Sequence, residues 1–231
     1  MKTCLEIIAA SVEDAIRAEA GGAHRLEVVQ HLHLDGLTPT YALVESILKS
    51  VSIPIRVMVR PQNRFHGITT GEQLLVRQDV RVFCEMGVEG VVIGWLTADG
   101  RPDIAGLQEA LGSRRDLGVT FHRAFDRARD AVQALDELIE SGLVDRILTS
   151  AQAGTAQAGM ECMAELQRRA AGRLQLIAAG GINADNIGRL AIRTGVREFH
   201  VGRGVRTPET YHGRVDVKKV QRLVRTLEAF A

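Results

Sequence analysis

Val119-Thr120-Phe121-His122-Arg123-Ala124-Phe125-Asp126 stands near the midpoint of the chain, and the arrangement of the rest follows from it. The run alternates outward and inward side chains and then supplies His122, Arg123 and Asp126 within five residues, which is typical of a strand that carries polar groups to its carboxyl end. Ligands of α/β folds bind where strands end and loops begin, so these three are predicted site residues. Each also has a structural alternative: His122 fills the interior, or Asp126 caps a helix that starts near Asp130.

The same pattern repeats on both sides of this stretch. Strand and helix patterns alternate eight times, and a glycine stands shortly before every second strand, at Gly22, Gly87, Gly142 and Gly195. By subtraction, the intervals between these glycines are 65, 55 and 53 residues, which fits two strand–helix units each. Each glycine is predicted to end a helix in a left-handed conformation. The sequence therefore predicts an α/β protein, a single (β/α)8 TIM barrel that forms one domain over residues 1–231.

The predicted elements can be given as ranges. Besides the central stretch, strands are predicted at 4–9, 25–29, 55–60, 90–94, 146–150, 174–179 and 198–201. Helices are predicted from a cap at Ser11 to 20, from Pro39 to 50, at 72–86, after 102–103, and at 131–141, 160–170, 183–193 and 216–231. The longest loop, 62–71, is either a lid over a site or a plain surface loop.

Composition excludes several classes of protein. The 231 residues include 29 Lys plus Arg against 28 Asp plus Glu, a net charge of +1, so a nucleic-acid partner is not expected. Cys4, Cys84 and Cys162 are far apart and form no C-x-x-C pair, which favours reduced thiols in the cytoplasm over disulfides. No apolar run is long enough for a signal peptide or a membrane span. We expect a cytoplasmic protein without a membrane partner.

Polar residues at the predicted strand ends would meet at one face of such a barrel. They are Glu6, Glu27, Arg60, His122, Arg123, Ser150, Gly180 and His200. One interpretation is an ion-pair network of Glu6 and Glu27 with Arg56 and Arg60 that serves only structure. The other is a catalytic or binding site in which a carboxylate or His122 is a general base and Arg60 holds an anionic group of the ligand.

Glycines follow the last two predicted strands. Gly180 and Gly181 come after the seventh strand, and Gly202-Arg203-Gly204 comes after the eighth. Such loops let backbone N–H groups approach a phosphate, and a short helix after the eighth strand would add its dipole. The sequence therefore predicts a phosphate or anion subsite here. The alternative is that Gly180-Gly181 only forms a tight turn into a helix capped by Asn183.

A third group of interest is the His31-Leu32-His33 loop. Two imidazoles at this spacing can bind a metal, but a metal site normally needs three or four ligands. The alternatives are solvated histidines, or a packing or homodimer surface made by the neighbouring leucines.

Seven segments carry a resemblance to a known family. They are Leu5-Glu6-Ile7, Ala23-His24-Arg25-Leu26-Glu27, Gly36-Leu37-Thr38-Pro39, Met58-Val59-Arg60-Pro61, Phe121-His122-Arg123-Ala124-Phe125-Asp126, Arg146-Ile147-Leu148-Thr149-Ser150 and Phe199-His200. In this order they resemble the copper homeostasis protein CutC family over nearly the whole chain. The resemblance implies a cytoplasmic TIM barrel that handles copper, with copper as the bound metal.

The chain departs from that family where the family's proposed copper ligands stand. Family members often carry cysteine near the second-strand glutamate or at the end of the first strand, and here those places hold Val29, and Ile8 and Ala9. Apolar side chains cannot ligate a soft metal, so a copper site would have to use His31, His33 or His66. Two hypotheses follow: a copper-binding protein, as the resemblance implies, or a barrel enzyme that acts on a small anionic or phosphorylated metabolite.

Overall fold

The computed structural model describes residues 3–113 and 116–229 and contains a closed barrel of eight parallel strands. Strands β1 to β8 are Cys4–Ala9, Arg25–Val28, Ile55–Met58, Gly90–Ile93, Gly118–Phe121, Arg146–Thr149, Gln175–Ala178 and Glu198–Val201. Helices α1 to α8 are Val12–Ala20, Tyr41–Leu48, Thr70–Glu85, Ile104–Leu111, Ala131–Ser141, Met160–Ala170, Ile187–Thr194 and Val217–Glu228. Each strand pairs with its neighbours in chain order, and β8 closes the barrel on β1. The predicted (β/α)8 TIM barrel is confirmed.

The glycine repeat has the conformation expected from the sequence. Gly22, Gly87, Gly142 and Gly195 all have positive φ, between 61° and 88°. Gly142 and Gly195 are the left-handed residues that end α5 and α7, where a side chain would be strained. The repeat therefore marks the turns that direct alternate helices back into the barrel.

Several element bounds differ from the predicted ones. Helix α2 begins at Tyr41, capped by Thr40, and not at Pro39. Helix α7 begins at Ile187, so Asn183 is not its cap; instead the Asn183 N–H donates to the Asn186 side chain over 3.0 Å. Two short strands that the sequence did not indicate, β9 (Arg206–Thr207) and β10 (Arg214–Val215), form a hairpin before α8. The last two residues of the predicted helix 216–231 lie outside the described residues.

The pairing register places the interior side chains in layers drawn from alternate strands. The lowest layer, at the amino ends of the strands, contains Arg25, Arg146 and Glu198, and the second contains Glu6, Arg56 and Thr120. The third layer contains Glu27, Val92, Leu148 and His200. The fourth layer, at the carboxyl ends, contains Ile8, Met58, His122 and Ala179. The lower layers are ionic, whereas the main apolar core lies between the barrel and its helices. The barrel interior is thus charged below and open above.

The ion pairs of the interior are not the ones that the sequence suggested. The Arg25 guanidinium lies 2.5 Å from Glu6 and 2.6 Å from Glu198. Arg56 is fully buried and pairs with Glu89 and Asp145 at 2.6 and 2.7 Å. A structural network therefore exists, but it lies in the lower half of the barrel and does not use Arg60.

Candidate functional site

A cavity of about 800 Å³ opens at the carboxyl ends of the strands. Its wall includes Glu27, Arg60, His122, Arg123, Asp126 and His200, together with the glycines after β7 and β8. Glu6 and Ser150 do not line the cavity, and neither do His31 and His33. Glu6 lies one layer below Glu27 and His200. The other polar residues predicted at this face share one concavity, and their role as a site stays a prediction.

Glu27 and His200 form the floor of the cavity. The His200 Nε2 atom lies 3.7 Å from a Glu27 oxygen, and its Nδ1 atom lies 2.7 Å from Glu6. Burial raises the pKa of Glu27 to about 7, although His200 opposes the shift. Burial also opposes charge on His200, but the carboxylates of Glu27 and Glu6 outweigh it and raise its pKa. The floor therefore holds a carboxyl that can gain or lose a proton near neutral pH, beside an imidazole whose charged form is stabilised.

Glu6 supports this floor from below. Burial favours its neutral form, but Arg25 and His200 outweigh burial and hold the pKa of the Glu6 carboxyl well below its usual range. Glu6 is thus a fixed negative charge between the guanidinium of Arg25 and the imidazole of His200. Its contacts are those of a residue that orients His200 rather than of one that touches a ligand.

His122 projects from the end of β5 into the wall. Burial, assisted by the charge of Arg60, lowers the pKa of His122 to about 3, so the ring is neutral at pH 7. The Ala124 N–H donates to its Nδ1 over 3.1 Å, which leaves the proton on Nε2. That N–H has no hydrogen-bond partner within the described chain. His122 is therefore a buried neutral donor.

Arg60 forms the rim above His122. Its Nη1 donates to the carbonyls of Leu34 and Gly36 over 3.0 Å each, and its Nη2 donates to Asn63 over 2.7 Å. The guanidinium also lies 4.3 Å from the centre of the Phe65 ring. These contacts fix the side chain, while Nε has no partner among the described groups.

Asn63 and Phe65 come from the 62–71 loop, whose role the sequence left open. Phe65 packs edge-on against His122, with ring centres 5.5 Å apart, and also lines the cavity. Sequence reasoning did not single out either residue for the site. The only available signal was the presence of an aromatic residue in a long loop after a strand.

Asp126 ties the end of β5 to the end of β6. It accepts hydrogen bonds from Thr149, from the Ser150 N–H and hydroxyl, and from Arg123. Helix α5 is capped by Asp130, so the alternative in which Asp126 is the cap is wrong. Arg123 also donates to Ser150 over 2.8 Å and remains partly exposed. The pair shapes one wall of the cavity.

The glycine loops after β7 and β8 form the adjoining part of the wall. Gly180 and Gly181 have φ of 94° and 70°, and a Cβ on Gly204 would lie 2.3 Å from the Ile182 carbonyl oxygen. Arg203 is exposed at the rim, with its guanidinium 4.8 Å from the centre of the Tyr211 ring. The helix predicted after β8 is a three-residue 3₁₀ helix, Arg203–Val205. These glycines therefore satisfy turn and packing requirements as well as bringing backbone close to the cavity.

Three buried polar atoms around the cavity have no hydrogen-bond partner in the described chain: Glu27 Oε1, Arg60 Nε and His122 Nε2. Their residues are 2%, 4% and 2% exposed and all line the cavity. Buried polar groups in folded proteins are normally hydrogen-bonded, so exceptions call for an explanation. One carboxylate oxygen and two N–H donors around one cavity suit a polar ligand.

Comparison with known proteins identifies the family to which this chain belongs. Residues 3–205 match the family model described as the CutC family. The chain belongs to the CutC family. CutC family proteins from Vibrio campbellii and Bacteroides thetaiotaomicron are 41% and 39% identical over 207 and 196 residues; the matches cover 87% and 84% of this chain and 82% and 78% of those proteins.

A solved structure agrees with the barrel of this CutC family member. The crystal structure of a CutC from Streptococcus agalactiae, named as a candidate copper homeostasis protein, superposes with a TM-score of 0.81 at 24% identity. The superposition covers 87% of this chain and 98% of that one. At this identity the likeness shows the fold, and folds of this kind host many chemistries. In the described part of the chain every helix is too short or too polar to cross a membrane.

Among the described residues, the lining of this cavity offers the copper that the CutC name implies one soft ligand, the thioether of Met58, and no cysteine. Cys4 lies at the amino end of β1, where burial raises the pKa of its thiol to about 12, and Cys84 and Cys162 lie in α3 and α6. His31 and His33 are exposed, with ring centres 5.9 Å apart. Cu(I) prefers thiolate and thioether ligands, so a single thioether without a cysteine beside it is a poor fit for this ion.

Proposed function

We propose that this protein is an enzyme that binds a small anionic or phosphorylated metabolite at the carboxyl face of its barrel. The observation that carries the proposal is the set of three unpartnered buried atoms, Glu27 Oε1, Arg60 Nε and His122 Nε2, on residues that line one cavity. A fold that served only structure would be more stable with these groups paired or replaced by apolar ones. A ligand with its own oxygens and hydroxyls would satisfy all three.

The chemistry that these groups favour is proton transfer at the floor of the cavity. With a pKa of about 7, Glu27 can accept or release a proton near physiological pH, which is the condition for efficient general acid–base catalysis. The neutral Nε2–H of His122 and the Nε–H of Arg60 can donate to an oxygen that gains negative charge during the reaction. Because both side chains are already fixed by other contacts, little reorganisation is needed.

An anionic end of the ligand would be bound on the adjoining part of the wall. The loops around Gly180-Gly181 and Gly202–Gly204 expose backbone close to the cavity, and Arg203 adds a positive charge at its rim. Backbone N–H groups with a nearby arginine are a common means of holding phosphate or carboxylate. The separated, unpaired cysteines support a reducing compartment such as the cytoplasm for this reaction.

Thermal unfolding of metal-stripped protein tests anion binding. Inorganic phosphate, sulfate and a set of triose and sugar phosphates are added to wild type, Arg203→Ala and Arg193→Ala. A ligand present at about 100 times its Kd stabilises by about 2.7 kcal/mol, which corresponds to a rise in Tm of about 5–10 °C for a chain of this size. We expect such a rise for at least one phosphate ester, and its loss in Arg203→Ala.

Arg193→Ala is the matched control, because Arg193 is an exposed arginine in the last turn of α7. It should shift with the ligand as wild type does. If no anion raises the Tm of wild type, or if Arg203→Ala shifts as much as wild type, the proposal is wrong.

Copper handling, the activity in the name of the Streptococcus agalactiae relative, is the other candidate. None of the three cysteines lines the cavity, and Met58 is the one sulfur donor among its described lining residues, beside oxygen and nitrogen donors. We therefore expect no stoichiometric retention of Cu(I) against a competing chelator under reducing conditions. Retention that is lost in a His31→Ala, His33→Ala double variant would revive this candidate.

A further inference from the structure

We propose that the floor of the cavity is a binding site for a divalent cation, ligated by Glu27 and by Nε2 of His200, with Glu6 as the outer carboxylate that orients the imidazole. This goes beyond the proposed function, because binding of an anionic metabolite does not require a metal. Within the described residues, Glu6, Glu27 and His200 are the group of His, Cys, Asp or Glu side chains that can bring three ligand atoms within 4.8 Å of one another.

The distances suit this arrangement. Metal bonds to imidazole nitrogen and carboxylate oxygen are about 2.0–2.2 Å long, so two ligands of one ion lie about 3–4 Å apart. The Oε2 atom of Glu27 and the Nε2 atom of His200 are 3.7 Å apart. The other ring nitrogen of His200 lies 2.7 Å from Glu6. A metal-bound histidine usually donates its second N–H to a carboxylate in this way.

Arg25 secures the outer carboxylate. Its guanidinium donates to Glu6 over 2.5 Å and to Glu198 over 2.6 Å, so Glu6 cannot turn towards the cavity without breaking a buried ion pair. The Nδ1–H of His200 is therefore held by Glu6, and Nε2, which faces Glu27, would release its proton when an ion binds. Coordination positions on the cavity side remain for water or for ligand oxygens.

An unpartnered atom points independently to a missing ligand. Glu27 is 2% exposed, and its Oε1 has no hydrogen-bond partner in the described chain. An ionised carboxylate that is buried without full pairing is costly. A cation held by both oxygens of Glu27 would satisfy Oε1 as well as Oε2, the atom that faces His200, and the Glu6–His200 pair alone does not.

The donor set selects the kind of metal. One imidazole nitrogen and one carboxylate suit Zn²⁺, Mn²⁺ or Co²⁺ better than Cu(I). Since a metal site normally has three or four ligands, water or ligand oxygens from the cavity would have to complete the coordination. A metal with open positions acts as a Lewis acid on a ligand oxygen. When the ion is bound, Glu27 and His200 hold it, and Glu27 does not serve as the general acid or base. His122 and Arg60 remain the hydrogen-bond donors on the cavity wall.

The test uses the full chain, stripped with a chelator, and the metal alone. Isothermal titration with Zn²⁺ and Mn²⁺, and the visible spectrum with Co²⁺, are recorded for wild type, Glu27→Gln, His200→Asn and Glu6→Gln. We expect wild type to bind one ion per chain. Glu27→Gln and His200→Asn should bind it at least tenfold more weakly, and Glu6→Gln should lose about 10–100-fold in metal affinity. A His31→Ala, His33→Ala double variant is the control and should bind as wild type does.

Mn²⁺ bound to the unmodified protein keeps the test valid if a floor variant fails to fold. Its pulsed electron paramagnetic resonance spectrum should show coupling to one imidazole nitrogen, unchanged in the loop double variant. No binding of any of these ions, binding without imidazole coupling, or binding lost in the loop double variant would overturn the proposal. Because no anion is present, these outcomes are independent of whether the phosphate esters bind.

Discussion

His122 shows at the scale of one residue how position changes chemistry. As a histidine in solution it would be half protonated near pH 6.5, but burial and the charge of Arg60 lower its pKa to about 3. The Ala124 N–H, which donates to Nδ1, fixes the tautomer as well. The residue is thus a neutral N–H donor throughout the physiological range, rather than the proton carrier that its residue type suggests.

This lowered pKa predicts a pH dependence of stability. Between about pH 6.5 and 3 the unfolded chain binds a proton at residue 122 and the folded chain does not, so the free energy of unfolding falls as the pH falls through this window. From pH 6.5 to pH 4.5 we expect wild type to lose about 2 kcal/mol more than His122→Asn, in which Asn retains an acceptor for the Ala124 N–H. Urea unfolding at the two pH values measures the difference.

His212→Asn is the control for this prediction, because it makes the same substitution at a histidine that is exposed to solvent. It should lose as much stability as wild type on acidification. Equal losses in wild type and His122→Asn would mean that His122 is not held neutral by the fold.

At the scale of elements, the β9–β10 hairpin depends on a buried ion pair with α1. The Asp14 carboxylate lies 2.9 Å from the Arg206 guanidinium and also accepts from the Val215 N–H over 3.2 Å. Arg206 is 2% exposed and donates in addition to the Gly213 and Ile8 carbonyls. These contacts hold the hairpin against the barrel, and the segment between its two strands carries Tyr211, which lines the cavity.

We therefore expect Asp14→Asn to destabilise the protein and to loosen this hairpin. Removing one partner of a buried pair leaves the other charge uncompensated, which costs about 3–5 kcal/mol. Urea unfolding measures the loss, and hydrogen exchange should become faster over residues 206–215. Glu13→Gln, on the exposed side of the same helix, should change stability by less than about 0.5 kcal/mol; a comparable loss in both variants would contradict this account.

At the scale of the whole molecule, the first and last strands of the barrel are joined to each other. Strand β1 pairs with β8, and Arg25 on β2 pairs with Glu198 on β8. A half-barrel would expose these charges and the apolar faces of its strands, so the halves are not expected to be stable alone. The sequence-based prediction of one domain rests on a different observation, the eightfold alternation of strand and helix patterns at this chain length.

Equilibrium unfolding tests this prediction. The single tryptophan, Trp95, is buried after β4 and donates to Asp103, so its fluorescence reports one quarter of the barrel, whereas far-ultraviolet circular dichroism reports all the helices. We expect the two transitions to coincide in urea. A dichroism curve with two steps, only one of them matched by fluorescence, would indicate separate units. The homodimer suggested by the loop leucines stays a prediction.

The fold was predictable because its signals are local. Strand and helix periodicity, the glycines before alternate strands and the capping residues act over a few neighbours, and the barrel follows from repeating them. The errors fell where particular side-chain contacts decide. One is local: before α7, which begins at Ile187, the Asn186 side chain bonds back to Gly181 and Asn183. The other is distant: the β9–β10 hairpin forms against Asp14, which lies about 200 residues away in the chain.

The sequence by itself determined the (β/α)8 barrel, its family and the face on which polar residues gather, because each is encoded in short segments and their order. Only the tertiary structure decided what those residues do. It placed Glu6 below the cavity and paired it with Arg25, kept His122 neutral, and brought Phe65 from a loop onto Arg60. Burial and neighbouring charge set pKa and pairing, and both depend on which strands face one another across the barrel.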